Sequence, residues 1–171
     1  NQRITLPAFY NTPDPVTISA WVNASVYTFG EDRFIVSNRS GGNGGLSFSI
    51  VSAGGAPPNN FGYMSLTIGG VAQYTAATNT VLSQVFSHVA ITLTGSSLKF
   101  YVDGALLETI SAGGMSLGDA WYIGTQGPAL TGAMVFTGGI DEVKISNVVR
   151  TADWLAAEFR NEGAPGTFAV I

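Results

Sequence analysis

The chain has one histidine, His88, and no cysteine. That removes a thiolate nucleophile, thiolate metal centres and any site built on two imidazoles. His88 could serve a Ser/His/Asp arrangement, but no Gly-x-Ser-x-Gly elbow accompanies it. It is read as a satisfied edge or core histidine. Retaining glycoside hydrolysis needs two carboxyls about 5–5.5 Å apart across the scissile bond. The only adjacent acids on a strand-like segment are Asp141 and Glu142, and strand neighbours point to opposite faces. Asp14, Glu31, Asp32, Asp103, Glu108, Asp119, Asp153, Glu158 and Glu162 fall singly, in loops or in a helical segment. No catalytic pair is legible, and the chain is not expected to be an enzyme. Gly41-Gly42-Asn43-Gly44-Gly45 lacks the Lys-Ser/Thr and helix of a phosphate cradle and reads as a turn.

Two recognition chemistries remain. If Val143 and Ile145 face a core, period two places Asp141 on the same inner face, with Glu142 and Lys144 outside. An inward carboxylate must be paired. Either it accepts backbone amides, or it ligates calcium with loop carbonyls and Asp32 or Asn43 completing an oxygen shell. Sugar binding needs aromatic planes for the ring and amides for the hydroxyls. Tyr27 and Phe29 lie in the loop Ser25–Arg33, and Phe61 and Tyr63 follow Gly54–Asn60, whose Asn59 and Asn60 carry amides. Gln126 adds an amide in a Gly/Pro loop. These loop-borne residues are the candidate ligand contacts, since binding groups favour loops on a rigid scaffold. The same residues could simply cover the ends of the fold.

The elements that must hold them are strands. Hydrophobic residues make up 46% of the 171-residue chain and charged residues 11%, which suits one buried core without staples. The net charge is −4 with seven Lys+Arg, scattered singly, so the basic stripe of a nucleic-acid binder is missing. No apolar run reaches the roughly 18–20 residues of a membrane span. Gly/Ser/Asn/Pro clusters separate segments rich in Val, Ile, Thr, Phe and Tyr, the mark of many short strands. Strands are predicted at Arg3–Pro7, Val16–Ala24, Arg33–Asn38, Leu46–Val51, Tyr63–Ile68, Val71–Thr75, His88–Thr94, Leu98–Val102, Ala105–Ile110, Trp121–Gly124, Phe136–Ser146 and Thr167–Ile171. Asp103-Gly104 predicts a tight reversal with positive φ. Thr151–Asn161 predicts one helix, with Thr151 as N-cap and Gly163 available for a left-handed C-cap. The expectation is a single all-β domain, residues 1–171, with no internal linker. Its start at Asn-Gln-Arg suggests a mature or excised piece of a larger protein.

The order of motifs resembles a known family. Thr17-Ile18-Ser19-Ala20-Trp21-Val22-Asn23 is similar to the "FTISAWVN" strand of laminin G-like jelly rolls. His88-Val89-Ala90 with Leu98-Lys99-Phe100-Tyr101-Val102-Asp103-Gly104 resembles their "HVAxT…xxLYVDG" hairpin. Tyr122-Ile123-Gly124 resembles "xIG", and Phe136–Ile145 resembles "FxGxIDEVRI". Ala152–Asn161 is similar to the "DWIAAEYRNQ" tail of the bacterial branch. The resemblance spans roughly residues 16 to 168.

It implies a two-sheet antiparallel sandwich of the concanavalin A-like lectin and glucanase superfamily, with Trp21, Trp121 and Trp154 as packed aromatics and His88 as a structural residue. Retaining glucanases there carry a Glu-x-Asp-x-x-Glu type strand, which this chain lacks. The pentraxin branch carries acids just after the strand matching Trp121–Gly124. Thr125-Gln126-Gly127-Pro128 has none, so the double calcium site of that branch is not implied. Members commonly serve as accessory modules of secreted or surface proteins and bind carbohydrate, a protein partner or, in some cases, calcium. The function expected is a non-catalytic carbohydrate-recognition module of a bacterial or phage secreted or surface protein. The alternative is a structural or adhesive domain packing in a larger assembly.

Overall fold

Residues that alternate apolar and polar along the chain alternate between core and outer face in space. The structure, a computed structural model, describes residues 3–8, 15–26, 30–39, 44–52, 62–76, 80–113, 120–128 and 134–165. Its strands in chain order are β1 (Ile4–Leu6), β2 (Val16–Ala24), β3 (Glu31–Ser37), β4 (Leu46–Ser52), β5 (Tyr63–Ile68), β6 (Val71–Tyr74), β7 (Ser87–Thr94), β8 (Ser97–Val102), β9 (Ala105–Ser111), β10 (Trp121–Ile123) and β11 (Gly138–Ser146). One helix, α1 (Ala152–Gly163), follows. The strands form two antiparallel sheets, a six-stranded one ordered β1-β10-β3-β4-β5-β6 and a five-stranded one ordered β11-β2-β7-β8-β9. The predicted all-β jelly-roll sandwich is what the chain adopts. The predicted strand Thr167–Ile171 lies outside the described residues.

Period two builds the core. Val16, Ile18, Ala20 and Val22 of β2 are fully buried and meet Phe48, Ile50, Met64 and Leu66 of the six-stranded sheet, with Trp121 and Phe100 filling between them. Each buried Val, Ile, Leu, Met or Phe side chain there contributes roughly 1.5–3 kcal/mol. Trp121 is therefore core. Trp21 faces outward from the five-stranded sheet and is half-buried beneath α1, while Trp154 is carried by α1 itself and packs, half-buried, against the cluster of Ala90, Tyr101 and Leu155.

Three local features differ from the period-two reading. First, β11 pairs Asp141 with Trp21 and resumes with Lys144 opposite Ser19, so Glu142 and Val143 together oppose Ala20. This is a β-bulge. It resets the alternation, so Ile140, Val143 and Ile145 all pack on the core while Asp141 is exposed. The inward Asp141 expected from the sequence is thus corrected. Second, Phe136 belongs to no strand. Its N–H donates to Gly124 O on the six-stranded sheet, after which the chain crosses to the other sheet at Gly138. Third, Gly163 is the last helical residue and Ala164 caps with its N–H on Arg160 O, so no left-handed glycine cap forms.

Two expected devices are present. Asp103 and Gly104 take φ of 49° and 75°, and the Asp103 carboxylate accepts the His88 N–H at 2.9 Å. Thr151 Oγ1 accepts the Trp154 N–H at 3.2 Å, a helix N-cap. Thr151→Ala removes that acceptor and is expected to lower stability by about 1 kcal/mol. Thermal melting should show a drop of roughly 2–4 °C, and an unchanged midpoint would show that packing alone fixes the helix start.

Candidate functional site

The outer face of the six-stranded sheet follows from the registers. Because Met64 and Leu66 point inward, Tyr63, Ser65 and Thr67 point out. One outward row runs Asp32, Val51, Tyr63. The next runs Phe34, Ser49, Ser65, Tyr74, and a third runs Tyr122, Ser37, Ser47, Thr67, Ala72. Hydroxyls dominate this face, and aromatic rings flank it. Ser37, Ser47, Ser49 and Ser65 are buried, Tyr63 and Thr67 half-buried, and Tyr74 is 51% exposed. The accessible part is therefore the β5–β6 margin. There Tyr63 and Tyr74 meet edge to face, with ring centroids 5.8 Å apart. Asp32 lies two strands from Tyr63, about 10 Å away. Burial pushes its carboxyl above the ordinary value of 3.8. The exposed Tyr74 ring can stack on a sugar ring, with the half-buried Thr67 on the neighbouring row and Asp32 across the face as the polar groups within the span of an oligosaccharide.

Of the ligand contacts expected from sequence, Tyr63 is in this group. Gln126 is half-buried in the turn after β10, its N–H on Met134 O at 3.2 Å. The neighbouring Gly127 lies beside the Arg39 carbonyl, past the end of β3 opposite to Asp32. Gln126 and Tyr63 are thus not brought together. Tyr27, Phe29, Asn43, Asn59, Asn60 and Phe61 lie outside the described residues. Of the expected calcium ligands, Asp32 and Asp141 stand on different sheets, and Asp141 Oδ1 accepts its neighbour Glu142's N–H at 2.9 Å. Tyr74 was missed, although the Ser47, Ser49 and Tyr63, Ser65, Thr67 alternations already mark one polar face.

A second group of polar side chains lies where α1 covers the five-stranded sheet. Glu158 of α1 is buried with its Oε2 3.4 Å from His88 Nε2. Its Oε1 accepts Ser19 Oγ at 3.2 Å and lies 3.3 Å from Lys144 Nζ. Lys144 also pairs with Glu162 and, at 3.4 Å, with Glu142. Glu162 Oε2 accepts the Trp21 indole N–H at 2.8 Å, and the Trp21 ring stacks on Phe159 and meets His88 edge-on. Gly163 leaves room for that ring, since a Cβ there would stand 3.2 Å from it. Burial alone would raise the Glu158 carboxyl, but His88 and Lys144 outweigh it and hold the group below its ordinary 4.5. Burial would lower the Lys144 ammonium, yet Glu162 and Glu158 raise it above 10.5.

His88, Glu158 and Glu162 have ligand atoms within 4.8 Å of one another, the only such trio among the described residues. They could hold a divalent cation by donor type. Lys144 already supplies the positive charge between the two glutamates, so the arrangement works as an ionic lock fastening α1 to the sheet.

Fold and face together define the class. The chain belongs to the concanavalin A-like lectin/glucanases superfamily, whose laminin G-type family model matches residues 1–156. Among solved structures it resembles a putative carbohydrate binding protein from Bacteroides ovatus, with TM-score 0.68, 21% identity and coverage of 91% of this chain and 44% of that one. It also resembles the Ruminococcus gnavus IT-sialidase CBM40 bound to alpha2,3 sialyllactose, with TM-score 0.63, 20% identity and coverage of 85% and 83%. A third is Domain 4 of AbnA, an extracellular arabinanase from Geobacillus stearothermophilus in complex with arabinotriose, with TM-score 0.65, 15% identity and coverage of 91% and 71%. No curated protein matches the chain. No helix among the described residues is long and apolar enough to cross a membrane.

Proposed function

We propose that the domain is a non-catalytic carbohydrate-recognition module of a secreted or surface protein. The observation that carries this is the Tyr63–Tyr74 pair at the accessible margin of a hydroxyl-lined sheet face. Asp32 supplies a carboxylate on the same face. The lectin-type family and its carbohydrate-binding neighbours support the reading. A glycan array followed by calorimetry, with and without calcium, tests it. Tyr74→Ala is expected to weaken the best glycan roughly tenfold or more, as central aromatic anchors do, with thermal stability close to the parent because the ring is exposed. Silence across the array in both conditions would sink the proposal.

One observation favours the structural alternative. The Gln84 N–H bonds Ala24 O, which sets Val26, Leu82 and Val85 at one end of the sandwich, 61%, 54% and 48% exposed. Such a patch suits a neighbouring domain or chain. Sedimentation of the domain with and without its flanking sequence discriminates, since a monomer in both cases argues against it.

A further inference from the structure

The second recess of interest lies on the other sheet from Tyr63 and Tyr74. Where β11 bulges against β2 and α1 ends, a cleft of about 550 Å³ opens, lined among others by Trp21, Phe86, Asp141, Glu142, Asn161 and Glu162. Its size falls in the range of small-ligand sites. The bulge creates its character. A regular strand would have sent Asp141 and Glu142 to opposite faces, whereas both are exposed here, Glu142 at φ 48°.

The walls state what they can accept. Phe86 is 54% exposed and spreads over Gly139, where even a Cβ would lie 3.6 Å from the ring. It is a flat apolar surface that the core does not use. Asn161 Oδ1 has no hydrogen-bond partner but is shut off from solvent, so the acceptors a ligand reaches are the exposed carboxylates. Three carboxylates line the cleft and no cation does. The one ammonium beside them, Lys144, is shared among Glu142, Glu158 and Glu162, so it offsets only part of their charge, and Asp141 stands outside that network. Asp141 spends one oxygen on a backbone amide, leaving the other for a ligand. The site therefore offers acceptors, negative charge and one stacking plane, and asks for donors, positive charge and a face of C–H bonds. A bare metal ion uses none of the apolar wall. A protonated amine on a saturated ring uses all of it, with the C–H face of the ring on Phe86 and the ammonium turned toward the carboxylates.

We propose that this cleft binds an amino sugar through its protonated amine, with Asp141 and Glu142 supplying the charge and Phe86 the plane. The assignment is independent of the glycan reading for the six-stranded sheet. The test is calorimetry of the intact chain with glucosamine oligomers, beside N-acetylglucosamine oligomers of equal length, at low and high salt. The free-amine form should bind at least roughly tenfold more tightly than the acetylated one, a 1.4 kcal/mol difference, and high salt should weaken it. Asp141→Asn with Glu142→Gln, and separately Phe86→Ala, should each reduce binding severalfold with unchanged melting. Tyr63→Ala with Tyr74→Ala should leave it intact, which separates this site from the other sheet. Equal binding of the two oligomers, or full binding by the Asp141→Asn/Glu142→Gln variant, overturns the proposal. So does a lysine-rich peptide binding where the amino sugar does not.

Discussion

Exchanging Glu158 for glutamine is expected to lower the stability of the domain by about 2–3 kcal/mol. The side chain keeps its volume, so the loss reports charge rather than packing. Glu158 sits beneath α1 with His88 and Lys144 on either side of its carboxylate, and removing one member of a buried ionic group leaves the others uncompensated. Melting should fall by roughly 5–10 °C for a chain of this length. The pH profile gives the sharper reading. Glu158 titrates below its ordinary 4.5 when folded, so its contribution is complete above that value and disappears as the pH falls through the lower folded one. Lys144 titrates above its ordinary 10.5 when folded, so its contribution is complete below that value and is lost as the pH rises further. The parent should hold a stability plateau between these limits. The glutamine variant should lose the Glu158 part of the acid limb while starting lower at neutral pH. Pairing Glu158→Gln with Lys144→Met should give less than the sum of the two losses, because they share one contact. A variant that melts with the parent and keeps its acid limb would show that apolar packing alone seats α1.

The lock also shows which facts a sequence can carry. Val16–Val22 and the His88–Val102 hairpin declare their sandwich because side-chain alternation and cross-strand packing obey one period. Asp103-Gly104 and Thr151 declare a turn and a cap because each acts within a few residues. His88 and Glu158 are 70 positions apart in number, and nothing local in either strand or helix foretells their meeting. Lys144 lay on the outer face as period two expects, but its partners came from a helix whose docking angle no pattern encodes. Asp141 failed for a different reason. Val143 and Ile145 alternate correctly, so the inserted residue is invisible until the partner strand shows two residues opposite Ala20. The polar outer face of the six-stranded sheet was available in principle, because Leu46–Ser52 and Tyr63–Ile68 alternate apolar residues with Ser, Thr and Tyr. Tyr63 drew attention because it opens β5 directly after the Gly54–Asn60 stretch, whereas Tyr74 ends a hairpin arm with no such loop marker before it.

Gly138→Ala is expected to be the most damaging small change, at about 3 kcal/mol or more, since backbone strain and overpacking add. Gly138 marks the corner at which the chain leaves Phe136, bonded to the six-stranded sheet, and begins pairing with Ala24 on the other. It does so at φ 135°, a conformation that L-residues adopt only under strain worth about 1–3 kcal/mol. Space is also lacking, because a Cβ would stand 2.0 Å from Asn23 O and 3.0 Å from Ala24 Cα, both backbone atoms that cannot rotate aside. Either β11 shifts or the start of its ladder with β2 opens. Gly139→Ala is the control. Its nearest contact is the Phe86 ring at 3.6 Å and its φ is not positive, so it should stay within about 1 kcal/mol of the parent. Melting should separate the two by roughly 5–10 °C. The damage should also travel, because β11 carries Asp141 and Glu142 into the cleft and Lys144 into the lock. Gly138→Ala should therefore blunt the acid limb that Glu158 creates, and combining it with Glu158→Gln should add less than Glu158→Gln costs alone. Full additivity would mean that the corner and the lock are held independently, with the bulge between them absorbing the shift.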